Sequence, residues 1–482
     1  MLKSLSDNAD HLREKFCQSY CKEFNLSTCK FCCKVASKNM EGNDMKIINS
    51  TIGRKAVEQL LVKKSFDELE LSPRVRAANK KIFGEDLTAV EIVRRIVDDV
   101  RRRGDAALIE WTKKIDGVEL TGDFVINVDE IPPAENFISA RGLKAIKHAA
   151  ENIRSFHAEQ MPHSWITWRG ENSMLGQAII PLDRVGVYVP GGTAAYPSSV
   201  LMNIIPAKVA GVREVIMCTP NTNPHVLTAA KLAGVDKIFK IGGAQAIAAM
   251  AFGTEKIPRV NKIVGPGNIF VTLAKKEVYG HCDIDMLAGP SEILIIADDT
   301  ADPVYAAADL LSQAEHDPLA CSILITTSAD LAEKVSAQVA EQIAKLPRRE
   351  IAAASIERNG LIVIAQDLEE AIYFANYSAP EHLELLTREP LSLLPKIRNA
   401  GAVFLGAYSP EPLGDYIAGP NHVLPTGGTA KFYSVLNVNT FLKRTSLISY
   451  TRNDLLNAAD DIIRLAEAEG LKAHAQAIRK RQ

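Results

Sequence analysis

The feature that most constrains this chain is a change of rhythm after Arg184. From there, short apolar runs alternate with segments of helical spacing. VGVYVPGG (from Val185), VREVIMCTP (from Val212), KIFKIGG, SEILIIADD (from Ser291) and CSILITTS read as strands. HVLTAAKLAG, AQAIAAMAFG, DPVYAAADLLSQAEHD and ADLAEKVSAQVAEQIAKL lie between or after them and read as helices. Parallel strands need a crossover of a dozen or more residues, so this alternation builds βαβ units and parallel sheets. The units suffice for two such sheets. The expected fold class is α/β, with two Rossmann-like parallel-sheet domains and small, mainly helical C-terminal and arm elements. A length of 482 residues agrees, since roughly two to four domains are expected at that size.

Upstream, Ala89 to Gly117 has helical periodicity interrupted by glycine, and GLKAIKHAAENIRSFHAEQM from Gly142 reads as a further helix. VELTGDFVINV between them is strand-prone. Towards the C-terminus, DLEEAIYFANYSAPEHLELLT reads as a helix, followed by a Gly/Pro-rich stretch from Gly401 to Gly428. The closing NDLLNAADDIIRLAEAEGLKAHAQAIRKRQ is amphipathic and helical, with Asn453 and Asp454 as its expected cap.

Charge and composition exclude some partners. A formal net charge of -2 and aromatics at 6% give neither the basic stripe nor the stacking platforms of a nucleic-acid binder. No apolar run has the length of a membrane span, and MLKSLSDNADHLREKF lacks the apolar region of a signal peptide. The cytoplasm is the expected location.

Five of the eight cysteines fall between Cys17 and Cys33, with C-x3-C and C-x2-C-C spacings. Two readings stand side by side. The cluster could hold zinc or an iron–sulfur centre, or residues 1–44 are a leader ahead of the first domain, with MKIINS at Met45 an alternative beginning.

Three glycine turns follow expected strands: Pro190–Gly192, Gly242–Gly243 and GPGN at Gly265–Asn268. In a doubly wound sheet such turns lie at the carboxyl ends of strands, where ligands bind. None forms G-x-G-x-x-G or a Walker A loop, and each taken alone also serves as a plain tight turn. Gln313 and His316, three apart on an expected helix, share a face suited to one metal, or to ordinary capping. Glu381 beside His382 unites a carboxylate that could activate water with an imidazole that could carry protons; the plainer alternative is a surface Glu and a helix-end His. Asp415 and His422 lie in a loop too long for simple connection. Glu469 and His474 would stand roughly 140° apart on an unbroken helix, and could share a site only if Gly470 breaks it.

These segments, with DMLAGPSE, SQAEH, APEHL and GDYIAGPNHVLPT, closely resemble the histidinol dehydrogenase family from about Met45 to Gln482. The resemblance implies NAD-dependent, four-electron oxidation of L-histidinol to L-histidine through L-histidinaldehyde, the last steps of histidine biosynthesis. It implies one zinc per site and a homodimer whose subunits share each site. By motif, the zinc ligands fall on Gln313, His316, Asp415 and His474, the last given by the other subunit. Glu381 and His382 match the catalytic pair. Substrate contacts fall on Ser291, Gln313, His316, His382, Asp415, Glu469 and His474, with His422 nearby. The NAD-contacting positions fall on Tyr188, Gln245 and Asn268.

The expected division is a Cys-rich leader (1–44), a helical N-terminal region contributing to the first α/β domain (45–184), the α/β domain with NAD-contacting loops (185–290), a second α/β domain with catalytic and metal loops (291–430), and a C-terminal helical arm (431–482). The leader departs from the family pattern. Two rivals remain: a related dehydrogenase acting on another alcohol, and a metal-responsive binding protein organised by the leader.

Overall fold

The computed structural model describes residues 45–63, 71–120, 124–170, 172–191, 196–220 and 222–482. The Cys-rich leader and Gly192 of the first glycine turn lie outside them. Strands β1 (Lys46–Asn49), β2 (Val125–Ile126), β3 (Trp165–Arg169), β4 (Ser173–Pro181) and β5 (Arg184–Tyr188) open the fold. β6 (Glu214–Cys218), β7 (Lys237–Phe239), β8 (Lys262–Val264), β9 (Asp283–Ile284) and β10 (Glu292–Ala297) follow. β11 (Cys321–Thr326), β12 (Leu361–Ile364), β13 (His382–Leu386), β14 (Ala402–Leu405) and β15 (Leu442–Ser449) complete them.

They form two six-stranded sheets, ordered β2-β7-β6-β5-β8-β9 and β1-β12-β11-β10-β13-β14. The second is parallel throughout; in the first only β2, against β7, runs antiparallel. Both are covered on each face, and the period-2 alternation of strands decides which side chain enters which core. In β6, Val215 and Met217 enter one core while Ile216 and Cys218 enter the other. In β10, Ile293, Ile295 and Ala297 face one helical layer and Leu294 and Ile296 the opposite one. Each fully buried Val, Leu or Ile contributes roughly 1.5–3 kcal/mol.

The helix Ala89–Arg103 covers the first sheet with Ile92, Val93, Ile96, Val97 and Val100, and begins with a Thr88–Glu91 capping box. It ends at Gly104, and a second helix runs over Asp105–Asp116, so the glycine interruption of the sequence is a true break.

Several expectations change in detail. The region 45–184 is divided between sheets, because β1 pairs with β12 in the second sheet and β2 with β7 in the first. The segment read as one helix from Asp367 is a helix over Leu368–Ser378, a left-handed Ala379 (φ 49°), then β13. Pro380 and five wholly buried positions in HLELL let sheet insertion outweigh the helix propensity of Leu and Glu. In the arm, LKRTSLIS forms β15 rather than helix, pairing antiparallel with β4 over eight residue pairs. With β3 it makes a third, three-stranded sheet. The cap of the final long helix is Thr451, whose hydroxyl accepts from the Asp454 N–H.

Candidate active site

The glycine turns end β5, β7 and β8, so they gather at the carboxyl edge of the first sheet. At the third, Gly265 has φ 112°, and a Cβ there would stand 2.2 Å from the Tyr188 carbonyl oxygen. A buried pair clamps it: Lys275 donates to the Gly265 carbonyl at 3.0 Å, Asp285 accepts the Gly265 N–H at 2.8 Å, and Lys275 and Asp285 form an ion pair. Asn268 is exposed and caps the helix Ile269–Val278 through the N–H groups of Phe270 and Val271. Tyr188 and Gln245 are buried beneath these turns. The Tyr188 hydroxyl accepts from the Gly243 N–H, and the Gln245 amide donates to Asp116.

The second group lies at the opposite, amino edge of the second sheet, where β10 opens with Glu292 and β13 with His382. Adjacent strand residues point to opposite faces, yet the pair Glu381–His382 converges through Glu292. The Glu292 N–H donates to Glu381 Oε2 at 2.9 Å, and His382 Nδ1 lies 2.9 Å from the Glu292 carbonyl oxygen. That carbonyl can only accept, so Nδ1 carries a proton and Nε2 is the nitrogen left for proton exchange. Nε2 is buried without a hydrogen-bond partner, 3.8 Å from Asp415 Oδ1.

Asp415 and Glu411 occupy one face of the short helix Glu411–Tyr416, four residues apart. His382, Glu411 and Asp415 each offer an atom within 4.8 Å of the others, a spacing that fits one metal ion. Ser312 donates to Glu411 at 3.0 Å, and the Glu411 N–H donates to Glu384 at 2.8 Å. His422 closes the group, with Nδ1 3.0 Å from the Asp415 carbonyl oxygen and 3.7 Å from its carboxylate.

Burial sets the electrostatics, and neighbours correct it. It lifts Glu381 to about 8 and, with the charge of Asp415, Glu411 to about 8. Burial alone would lower His382, but Glu381 and Asp415 reverse this and raise it to about 10. Burial would raise Asp415; His422 and His382 instead hold it below the ordinary carboxylate range.

Gln313 lies in the last turn of the helix Pro303–Ala314, with its buried Oε1 unpartnered. His316 is not on that helix but in the turn closing it, its N–H donating to the Gln313 carbonyl. Asp415 and His382 both act on its charge. Ser291 sits just before β10, half-buried. Glu469, in the turn that ends the helix Arg452–Ala468, and His474, on the helix Lys472–Arg479, are both exposed, and the helices do break at Gly470 (φ 76°). Neither enters the hydrogen bonds or ion pairs of the Asp415 group among the described residues.

A family model described as histidinol dehydrogenase matches residues 81–482. The chain belongs to the histidinol dehydrogenase family. A histidinol dehydrogenase of Bacillus cereus is 52% identical over 425 residues, covering 87% of this chain and 98% of that one. That of Syntrophotalea carbinolica is 54% identical over 393 residues, covering 80% and 91%. The crystal structure of histidinol dehydrogenase from Elizabethkingia anophelis superposes with a TM-score of 0.83 at 38% identity, covering 92% of this chain and 99% of that one.

Within a histidinol dehydrogenase scaffold, the sequence reading missed two residues that the geometry brings forward. Glu411 was legible, since E-P-L-G-D sets two carboxylates at i and i+4. Glu292 was visible only as the last letter of GPSE; its contacts are mostly to backbone, which no side-chain motif records.

Proposed function

We propose that this chain is a zinc-dependent enzyme that oxidises L-histidinol to L-histidine with two NAD, working in the cytoplasm as a homodimer. The observation that carries the reading is His382. Its Nδ1 is held by a carbonyl, and its buried Nε2 is turned towards Asp415 with no partner. Nε2 is thus the nitrogen placed to exchange a proton with a hydroxyl, once the ring has released the proton that Glu381 and Asp415 favour on it.

The residues fit the two groups that the reaction requires. For zinc, the resemblance points to Gln313, His316 and Asp415; Asp415 belongs to the group whose donor atoms lie within 4.8 Å of one another, and the buried Gln313 Oε1 has no protein partner. Nitrogen and oxygen donors suit this metal, and His474 of a second copy would add a fourth. Zinc, when bound, holds the imidazole and amine of the substrate in register and places a positive charge beside Asp415. The glycine turns at Tyr188, Gln245 and Asn268 make the cradle for NAD, which accepts one hydride in each of two rounds.

Within that frame, His382 Nε2 takes the hydroxyl proton of the alcohol in the first round. Glu381, 3.6 Å from His382, then takes a proton from water as it attacks the aldehyde carbon. His382, having released its first proton to solvent, serves again as base on the resulting gem-diol. Ser291 and His422 would line the same substrate, with Glu469, like His474, coming from the second copy.

Exposed apolar residues support the dimer. Trp165 and Ile448 share one face of the three-stranded sheet and are exposed, as are Leu465 and Leu471 in the C-terminal segment, and exposed apolar side chains of this size favour a protein contact.

NADH formed per L-histidinol consumed tests the reaction. A ratio of two with zinc, lost on chelation and restored by zinc, is expected. A ratio of one would remove the water-activating role of Glu381. Mixed dimers test the sharing. Pairing a His474→Ala chain with a Glu381→Gln chain leaves one intact site per heterodimer and is expected to recover activity that neither homodimer has. Purified heterodimers without that recovery would count against a ligand shared between subunits.

A further inference from the structure

We infer that Glu292 is the positioning residue of the active site, a single buried carboxylate that fixes both members of the Glu381–His382 pair; the inference rests on the catalytic roles proposed above. Glu292 is 6% exposed at the first position of β10. Its backbone already contacts both partners, through its N–H to the Glu381 carboxylate and its carbonyl to His382 Nδ1. Its side chain then closes a loop. Oε2 accepts the Glu381 N–H at 3.3 Å and pairs with Lys63, while Oε1 accepts the Gly427 N–H at 2.8 Å.

The strand register explains why this residue has such reach. β10 and β13 run parallel with Ile293 opposite His382, so Glu292 and Glu381 are each one residue before their ladder begins. Strand ends leave backbone groups outside the sheet pattern, and buried ones need partners. Glu292 and Glu381 satisfy one another reciprocally, each accepting the N–H of the other on its carboxylate.

Three donors converge on the Glu292 side chain: an ammonium and two N–H groups. A carboxylate is acceptor-only and can meet all three, with charge-assisted strength. An amide of the same size turns an NH₂ towards donors on one side. Gly427 belongs to the loop after His422, so the same carboxylate ties that loop to the catalytic pair. Small displacements of a positioned base are costly, up to about 10²-fold in rate for 1 Å.

The test is Glu292→Gln in the zinc-loaded dimer. We expect kcat about 10- to 100-fold lower, with KM for histidinol and for NAD each within about three-fold of the parent. In a His382→Asn background the same substitution is expected to cost no more than about three-fold, because a residue acting through His382 has little left to position. A general structural role would multiply the two losses instead, and that outcome overturns the inference. So does a kcat within about two-fold of the parent. Lys63→Gln loosens the carboxylate from outside the pair and serves if Glu292→Gln does not assemble; the same direction and the same non-additivity are expected, and an unchanged kcat counts against the role. Full turnover by His382→Asn alone would show that the catalytic pair is misassigned and take this inference with it, a result distinct from a harmless Glu292→Gln in an enzyme that His382→Asn disables.

Discussion

Replacing His382 by Asn is expected to lower turnover about 10²- to 10⁴-fold, the range that one general base contributes, while zinc stays bound. The asymmetry follows from the ring's two nitrogens. Asn can keep a donor near the Glu292 carbonyl, which His382 Nδ1 meets at 2.9 Å, so β13 and its register should survive. What is lost is Nε2, the nitrogen that faces Asp415 at 3.8 Å and that no protein group occupies. In the proposed mechanism both oxidation rounds need it, so kcat with histidinol and with the aldehyde should fall together. Glu381→Gln differs here. It removes only the activation of water, so the first hydride transfer persists and the second does not. Rapid-quench measurement of NADH per site separates the two: near one for Glu381→Gln, near zero for His382→Asn. Near-normal turnover in His382→Asn would move the base elsewhere, with Glu381 as the next candidate.

Much of this architecture is legible in the sequence because burial on both faces leaves a strong mark. EILIIA is apolar at five of six positions and becomes β10, wholly buried between two helical layers. The glycine turns are equally plain, since a residue with φ 112° packed on a carbonyl admits only glycine. The break at Gly470 was likewise readable as the condition for Glu469 and His474 to act together.

What stayed hidden has physical reasons. His382 looked like a helix-end residue because Leu, Glu and Ala dominate its neighbourhood, and only the sheet, which is a long-range structure, pulls HLELL into a strand. That shift changes the chemistry, because a strand's first residue keeps free backbone neighbours whereas a helix interior does not. The site also lies at the amino edge of its sheet, against the usual placement at carboxyl ends. Fold-level analogy would therefore look on the wrong side. Glu292 escaped because its work is done on backbone groups, and Glu411 because its partner Asp415 carried the motif. His474 remains exposed in one chain, so its proposed role depends on a second copy and no single-chain reading could derive it.

Lys275→Met is expected to cost about 3–5 kcal/mol of stability, the range for breaking a buried ion pair from one side. Lys275 and Asp285 have side chains 4% and 1% exposed, so removing the ammonium strands a carboxylate that water cannot reach. Asp285 would still accept the N–H groups of Gly265 and Met286, at 2.8 and 2.6 Å, but without a countercharge. The double variant Lys275→Met/Asp285→Leu should recover most of the lost stability, because replacing a buried pair by apolar groups of similar size is often neutral. Function should not follow stability. In the double variant the Gly265 N–H and carbonyl both lose their side-chain partners, so the turn proposed to cradle NAD loses both of its clamps on Gly265. A raised KM for NAD with KM for histidinol unchanged is the expected signature, read beside thermal midpoints of the parent, the single and the double variant. If the single variant melts with the parent, the ion pair is not a structural clamp. If the double variant regains both midpoint and NAD affinity, the pair stabilises the fold without shaping the turn.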